Sequence, residues 1–439
     1  MLWLLIVILA ILFVFAEWVY LRFIRFRVCI CPYPSGKSFA FTIIDDTDCA
    51  TLESIKPIYD LLCDLNMRIT KTIWVYPPDA EVKDRKHLGD TLARSDYLAY
   101  LRQLEAKGFE IALHNVSSLS NKRNKVEQGL EEFKAAFGRY PSINVSHEKN
   151  KENLYQDDVG GGFFHSPFKT AAFSGLFALV KKRDCSATPP KVRRFGGHME
   201  CSEYFWGDLC KDKIEYYRSY YFFEDVNTLK VNPKIPYHVE SKPYVNFWFD
   251  SSNGQDCEVF NGLLTEKSLR ALKKECGCCI LYTHFGKGFT FKSNGAFHLN
   301  RETKNKLMSL ARDEQGWFVP VSILLGRLQE IHNIRLIKHK GSFIVKNDNR
   351  SAVENLAIHI HPSQMCFDLD GKPFSPDKNG AIRIDCLKAG EVKFFLVREP
   401  KNINQKDIYW TEQDLPVFWV DLQTFWGKLW SKIVSKLAT

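Results

Sequence analysis

The chain has 439 residues, 45% hydrophobic and 25% charged, with a net charge of +9. These are values of a folded chain with two or three domains, and they exclude a disordered or low-complexity protein. The positive balance favours acidic partners such as anionic lipid or phosphorylated glycans. No dense basic helix, zinc-finger spacing or RNA-recognition signature points to nucleic acid.

Residues 1–24 are almost entirely apolar, long enough to span a bilayer as a transmembrane anchor. Glu17 is the one charge before Arg22, and Trp18 and Tyr20 sit where interface anchors belong. A cleaved signal peptide is the alternative, but its basic start and small-residue cleavage site are not evident. Arg22, Arg25 and Arg27 follow the span and no Lys or Arg precedes it, so the positive-inside rule puts the remainder in the cytoplasm. The 13 cysteines are odd in number and scattered, which is no disulfide framework. Cys276, Cys278 and Cys279 crowd one stretch, and without a second nearby pair they read as buried small hydrophobes rather than a zinc site.

A linker over 25–37 leads into a long α/β stretch, 38–332. Strands are expected at 39–45, 68–75, 109–113, 142–146, 244–249 and 278–283. Helices are expected at 50–65, 91–107, 122–137, 265–275 and 301–313. Strands alternating with helices imply parallel strands under covering helices, hence an open sheet or a barrel. Residues 157–240, with Gly160-Gly161-Gly162 and many aromatics, read as loops and short elements lining one mouth of the fold. From 333 to 400 short β-type runs alternate with turns such as Asp370-Gly371 and Asn379-Gly380, as in a small β-sandwich. In the tail, 401–439, Phe425, Trp426, Leu429, Trp430, Ile433, Val434 and Leu437 recur at helical spacing opposite Lys428, Lys432 and Lys436. That helix either lies on a membrane surface or covers its own domain.

Polar groups stand where three apolar runs end. Phe41-Thr42-Ile43-Ile44 runs into Asp45 and Asp46, Glu110-to-Leu113 into His114, and Cys279-to-Thr283 into His284. Active sites of α/β folds lie at the carboxyl ends of strands. Adjacent side chains diverge, so two such acids can divide a metal and a proton between them; alternatively Asp45 or Asp48 caps the next helix. A carboxylate with one or two imidazoles suits a divalent metal such as zinc and metal-assisted hydrolysis. A phosphodiesterase-like site would want more acids and histidines.

Strand-Asp-Asp, strand-His-x-x-x-Ser and a late Leu-Tyr-Thr-His, in that order over residues 38–330, resemble the polysaccharide deacetylases with the NodB homology domain. The resemblance implies a distorted (β/α) barrel and metal-dependent removal of an N-acetyl group from a sugar. By that match Asp45 is the catalytic base, Asp46 and His114 are metal ligands, and His284 protonates the leaving amine. Trp248 and Asp250 orient that histidine and line the pocket, and Tyr282 joins them at the substrate. The chain departs from the pattern where the family has a second histidine. Ser118 stands there instead, so the third ligand is Ser118 or His147, which ends the strand at 142–146. Thr47 replaces the usual glycine after the acids, and no Arg-x-Pro motif is evident. The expected substrate is an N-acetylated sugar of surface-polysaccharide or glycolipid assembly, handled at a bacterial inner membrane. The alternative is an inactive relative that binds glycan or scaffolds a membrane complex.

Overall fold

The computed structural model describes residues 28–84, 87–156, 195–223, 225–339, 341–360, 364–377 and 380–398. The apolar span at 1–24 and the tail at 401–439 lie outside the described residues. Among the described residues no helix is long and apolar enough to cross a membrane. The chain divides into one unit of residues 38–328 and a second made from residues 1–37 and 329–439.

The first unit is a closed parallel barrel. Its strands are β1 (Phe39–Asp45), β2 (Thr70–Ile73), β3 (Glu110–Leu113), β4 (Ile143–Asn144), β5 (Tyr216–Phe222), β6 (Phe247–Asn253) and β7 (Cys278–Thr283). Each pairs with the next in parallel, and β7 returns to β1 over Ala40 to Asp45, closing seven strands into a ring. Every residue of β1 is buried, as a parallel strand covered on both faces requires. Phe39, Phe41 and Ile43 share a core cluster with Ile55, Ile58, Tyr59 and Leu62 of α1 (Leu52–Asp64). The alternate residues, through Asp46, turn to the opposite face. Thr51, rather than Asp45 or Asp48, caps α1, in a reciprocal capping box with Ser54.

One strand was hidden in the stretch read as loops. Tyr216–Phe222, Tyr-Tyr-Arg-Ser-Tyr-Tyr-Phe, shows no aliphatic run and no polar alternation. Its aromatics nevertheless suit a pleated surface. A break in register between Arg218 and Tyr220 marks a bulge.

At the opposite end of the barrel, Glu110 is buried at the start of β3. Its Oε2 accepts from Thr70 Oγ1 at 2.6 Å and from the Ser322 backbone at 3.2 Å, at the start of helix Val321–His332.

The second unit has two antiparallel sheets. Cys29–Cys31, Val353–His359 and Ala381–Leu387 form one. Ile334–His339, Ser342–Asn347, Val392–Arg398, Met365–Phe367 and Pro373–Phe374 form the other. Val28, Phe343, Val345, Leu356, Ile358, Ile382 and Phe395 share one buried cluster. The segment expected as linker therefore carries a strand of this unit.

Candidate metal centre

The carboxyl ends of β1, β3, β4 and β7 deliver one cluster. Asp48, His114 and His147 are all buried, and one donor atom from each lies within 4.8 Å of the others. Asp48 Oδ1 is 3.2 Å from His114 Nε2 and 3.9 Å from His147 Nε2. Donors held two ångström from one tetrahedral ion sit roughly 3.3 Å apart, so the spacing fits. Asp48 Oδ1 and His147 Nε2 are buried with no hydrogen-bond partner. Such orphans are costly in a dry interior, and a shared cation would satisfy both.

The imidazoles are prepared for that role. His114 Nδ1 faces the Val145 carbonyl at 3.2 Å, and His147 Nδ1 faces Asn150 Oδ1 at 3.4 Å. A proton on Nδ1 leaves Nε2 with its lone pair turned to the cluster. Trp74, fully buried just past β2, stacks on His114 at 6.0 Å between ring centroids and meets His147 edge-on at 5.5 Å. Burial, with His114 beside it, pushes the His147 imidazole down to about 4. Burial works against the Asp48 carboxylate too, but His114 and His284 hold it well below the usual range.

The two acids ending β1 part company. Asp45 turns toward α1, where it meets Lys71 Nζ at 2.9 Å, the Tyr59 hydroxyl at 2.9 Å and the Phe285 backbone N–H at 2.7 Å. Asp45 and Lys71 are both fully buried, and burial raises the Asp45 carboxyl against the pull of that lysine. Asp46 faces the other way. Arg218 on β5 grips it with both terminal guanidinium nitrogens, at 3.2 and 2.7 Å. Burial opposes the charged form, yet Arg218, then His114 and His284, keep Asp46 below its ordinary value.

His284 Nδ1 lies 2.6 Å from the Gln255 carbonyl, and its Nε2 lies 3.3 Å from Asp48 Oδ2. Lys287 Nζ reaches the same oxygen at 3.2 Å. Asp48 thus gives one oxygen to the histidine pair and the other to His284 and Lys287. Behind them the His284 loop abuts the Asp48 loop. A Cβ on Gly286 would come within 2.4 Å of the Cys49 carbonyl carbon.

The remaining expected residues fall as follows. Tyr282 lies between Arg218, 4.4 Å from its ring centroid, and His284, 5.1 Å between centroids. Trp248 is buried beside Tyr217, and Asp250 accepts from Asn232 at 2.6 Å and from Tyr237 at 3.4 Å. Ser118 donates to the His87 carbonyl at 2.9 Å, and its own carbonyl lies 3.1 Å from His87 Nδ1. The structure therefore brings together Asp46, His114, His147, Tyr282 and His284, turns Asp45 away, and engages Ser118 with His87. Asp48, Arg218, Lys287 and Trp74 were not singled out from the sequence as site residues. The third acid of Asp45-Asp46-Thr47-Asp48 was the available signal for the first of them.

A closed parallel barrel with a buried carboxylate–imidazole cluster at its carboxyl rim is the frame on which the chain is built. No family model matches the sequence, and no curated protein matches it. Similar solved structures include the following three. One is a putative polysaccharide deacetylase from Mycobacterium smegmatis, 12% identical, covering 68% of this chain and 93% of that one, TM-score 0.38. Another is the catalytic domain of peptidoglycan N-acetylglucosamine deacetylase from Eubacterium rectale, 12% identical, covering 66% and 92%, TM-score 0.32. A third is Puue allantoinase, 9% identical, covering 69% and 94%, TM-score 0.37. In its strand-end acids and histidines the chain resembles the polysaccharide deacetylases.

Proposed function

We propose that this protein is a metal-dependent hydrolase that removes an N-acetyl group from a sugar. The observation that carries this reading is the pair of orphaned buried donors, Asp48 Oδ1 and His147 Nε2, facing His114 at the barrel rim. Asp48, His114 and His147 would hold a divalent cation, and two imidazoles with one carboxylate favour zinc. When bound, such a cation polarises a carbonyl and acidifies water.

The chain's own residues do the rest. Asp46, kept ionised by Arg218, accepts the proton of the attacking water. His284, oriented by the Gln255 carbonyl, donates a proton to the departing amine. Asp45 holds the loop after β7 rather than the water. Tyr282 walls the pocket beside His284, whereas Trp248 packs on Tyr217 and Asp250 is held by Asn232 and Tyr237, so neither orients that histidine. Ser118 fixes His87 beside the centre, while His147 supplies the third ligand.

The sugar would belong to surface-polysaccharide or glycolipid assembly, lipid-linked or nucleotide-linked. The apolar segment at 1–24 would tether the barrel to a bacterial inner membrane from the cytoplasmic side. Residues 38–332 form the catalytic domain in this reading, and 333–400 a small β-sandwich.

Metal analysis and acetate release from N-acetylhexosamine oligomers test the proposal together. About one divalent ion per chain is expected, with turnover lost to a chelator and restored by zinc. A purified protein without metal and without acetate release would leave the alternative, a glycan-binding or scaffolding relative.

A further inference from the structure

Glu152 belongs to neither the cluster nor the acid pair, yet it is 1% exposed and ringed by amides. Its Oε1 accepts from Asn115 Nδ2 at 3.2 Å, Asn121 Nδ2 at 3.1 Å and Asn150 Nδ2 at 3.1 Å. Its Oε2 accepts from the Asn121 backbone at 3.1 Å. Asn115 follows ligand His114, and Asn150 faces ligand His147. One buried carboxylate therefore joins both histidine loops.

The chemistry of Asn150 gives this join a direction. Its Nδ2 meets three acceptors at 3.1 Å: Glu152 Oε1 and the carbonyls of Ser117 and Leu119. Three surrounding acceptors call for the NH2 end of the amide, its two hydrogens shared among them, so Oδ1 faces His147 Nδ1. An acceptor there requires the proton on Nδ1, which frees Nε2. Asn153 adds a second tie, donating to the His147 carbonyl at 2.7 Å and accepting from Asn115 at 2.8 Å.

We propose that Glu152 is a positioning residue of the metal centre: through Asn150 it selects the His147 tautomer that leaves Nε2 free for the cation. This rests on the metal-centre reading above. It explains how a histidine on a loop after a two-residue strand replaces a ligand from the His114 loop itself. A loop ligand needs an outside brace, and the amide cage around Glu152 is that brace.

The test compares Glu152→Gln with Glu110→Gln, a buried acid at the other end of the barrel. Zinc affinity is measured by competition with a chromophoric chelator, and the cobalt(II) form by its visible absorption. Apo thermal midpoints are recorded for each. Glu152→Gln should bind zinc about 10- to 100-fold more weakly and shift the cobalt bands. Glu110→Gln should lower the midpoint and leave both metal readouts unchanged. Equal zinc affinity in wild type and Glu152→Gln overturns the proposal and spares the metal centre. Should Glu152→Gln fail to fold, Asn150→Ala takes its place, and unchanged affinity there is equally fatal. A wild-type protein that takes up no zinc or cobalt removes the metal centre, and this proposal with it.

Discussion

Arg218 and Asp46 form a bidentate pair across the barrel, from positions 172 residues apart. Both partners are nearly sealed from solvent, so each depends on the other for its charge. Removing the guanidinium makes Asp46 harder to ionise. Arg218→Met should therefore shift the acid limb of the kcat/KM profile to higher pH. It should also destabilise the fold by about 3–5 kcal/mol, the usual consequence of stranding a buried charge. A pH profile of acetate release checks the first outcome and urea denaturation the second; an unmoved acid limb would deny Asp46 its place as base.

Asp46 and Asp48 should separate cleanly. Asp46→Asn should lower kcat/KM by about 10²- to 10⁴-fold while keeping the divalent ion. Asp48→Asn should lose both turnover and metal. Metal content of the two purified variants, read beside acetate release, decides between this division and equal loss in both.

His147 ties stability to pH. Its imidazole titrates near 4 in the fold because burial disfavours the cation, against about 6.5 in an unfolded chain. Between these values the unfolded state holds the extra proton. The metal-free protein should thus lose stability as pH falls from about 6.5 to about 4, by roughly 3 kcal/mol in all. His147→Gln should remove that part of the acid sensitivity. Denaturation in a chelator at several pH values measures it, and identical slopes would contradict the buried neutral imidazole.

Asp45 should matter to folding more than to metal. Asp45→Ala strands the Lys71 ammonium, 0% exposed, and frees the Phe285 N–H. A loss of about 3–5 kcal/mol is expected in the single variant, and less in Asp45→Leu with Lys71→Met, where no charge is left behind. Gly286→Ala should fail for a steric reason, since its methyl would overlap the backbone at Cys49 and Ala50. Chemical denaturation of the three variants is the measurement, and a double variant weaker than the single would contradict the penalty assigned to the stranded lysine.

The legible parts of the chain were those where an apolar strand meets a polar end. Phe39–Asp45, Glu110–Leu113 and Cys278–Thr283 announce themselves by composition, and with them Asp46, His114 and His284. Gly138, left-handed at φ 73°, closes the helix Arg123–Phe137 where the sequence suggested. The strand bearing Arg218 was hidden because tyrosines around an arginine look like an exposed loop. The arginine is there to meet Asp46, a long-range requirement that no local pattern carries. Asp48 was obscured for a related reason: an acid just past a strand resembles a helix cap, and only the fold shows Thr51 taking that office.

Cys29–Cys31 pairs with Val353–His359, so the smaller unit draws its strands from both sides of the barrel in sequence. On a ribosome its first strand emerges early and must wait, unpaired, until some three hundred residues more have been made. In sequence the barrel is thereby an insertion within the smaller unit. Anyone trimming this protein for expression should cut on both flanks, near 38 and 328, because removing the later segment alone would leave an orphaned edge primed to aggregate.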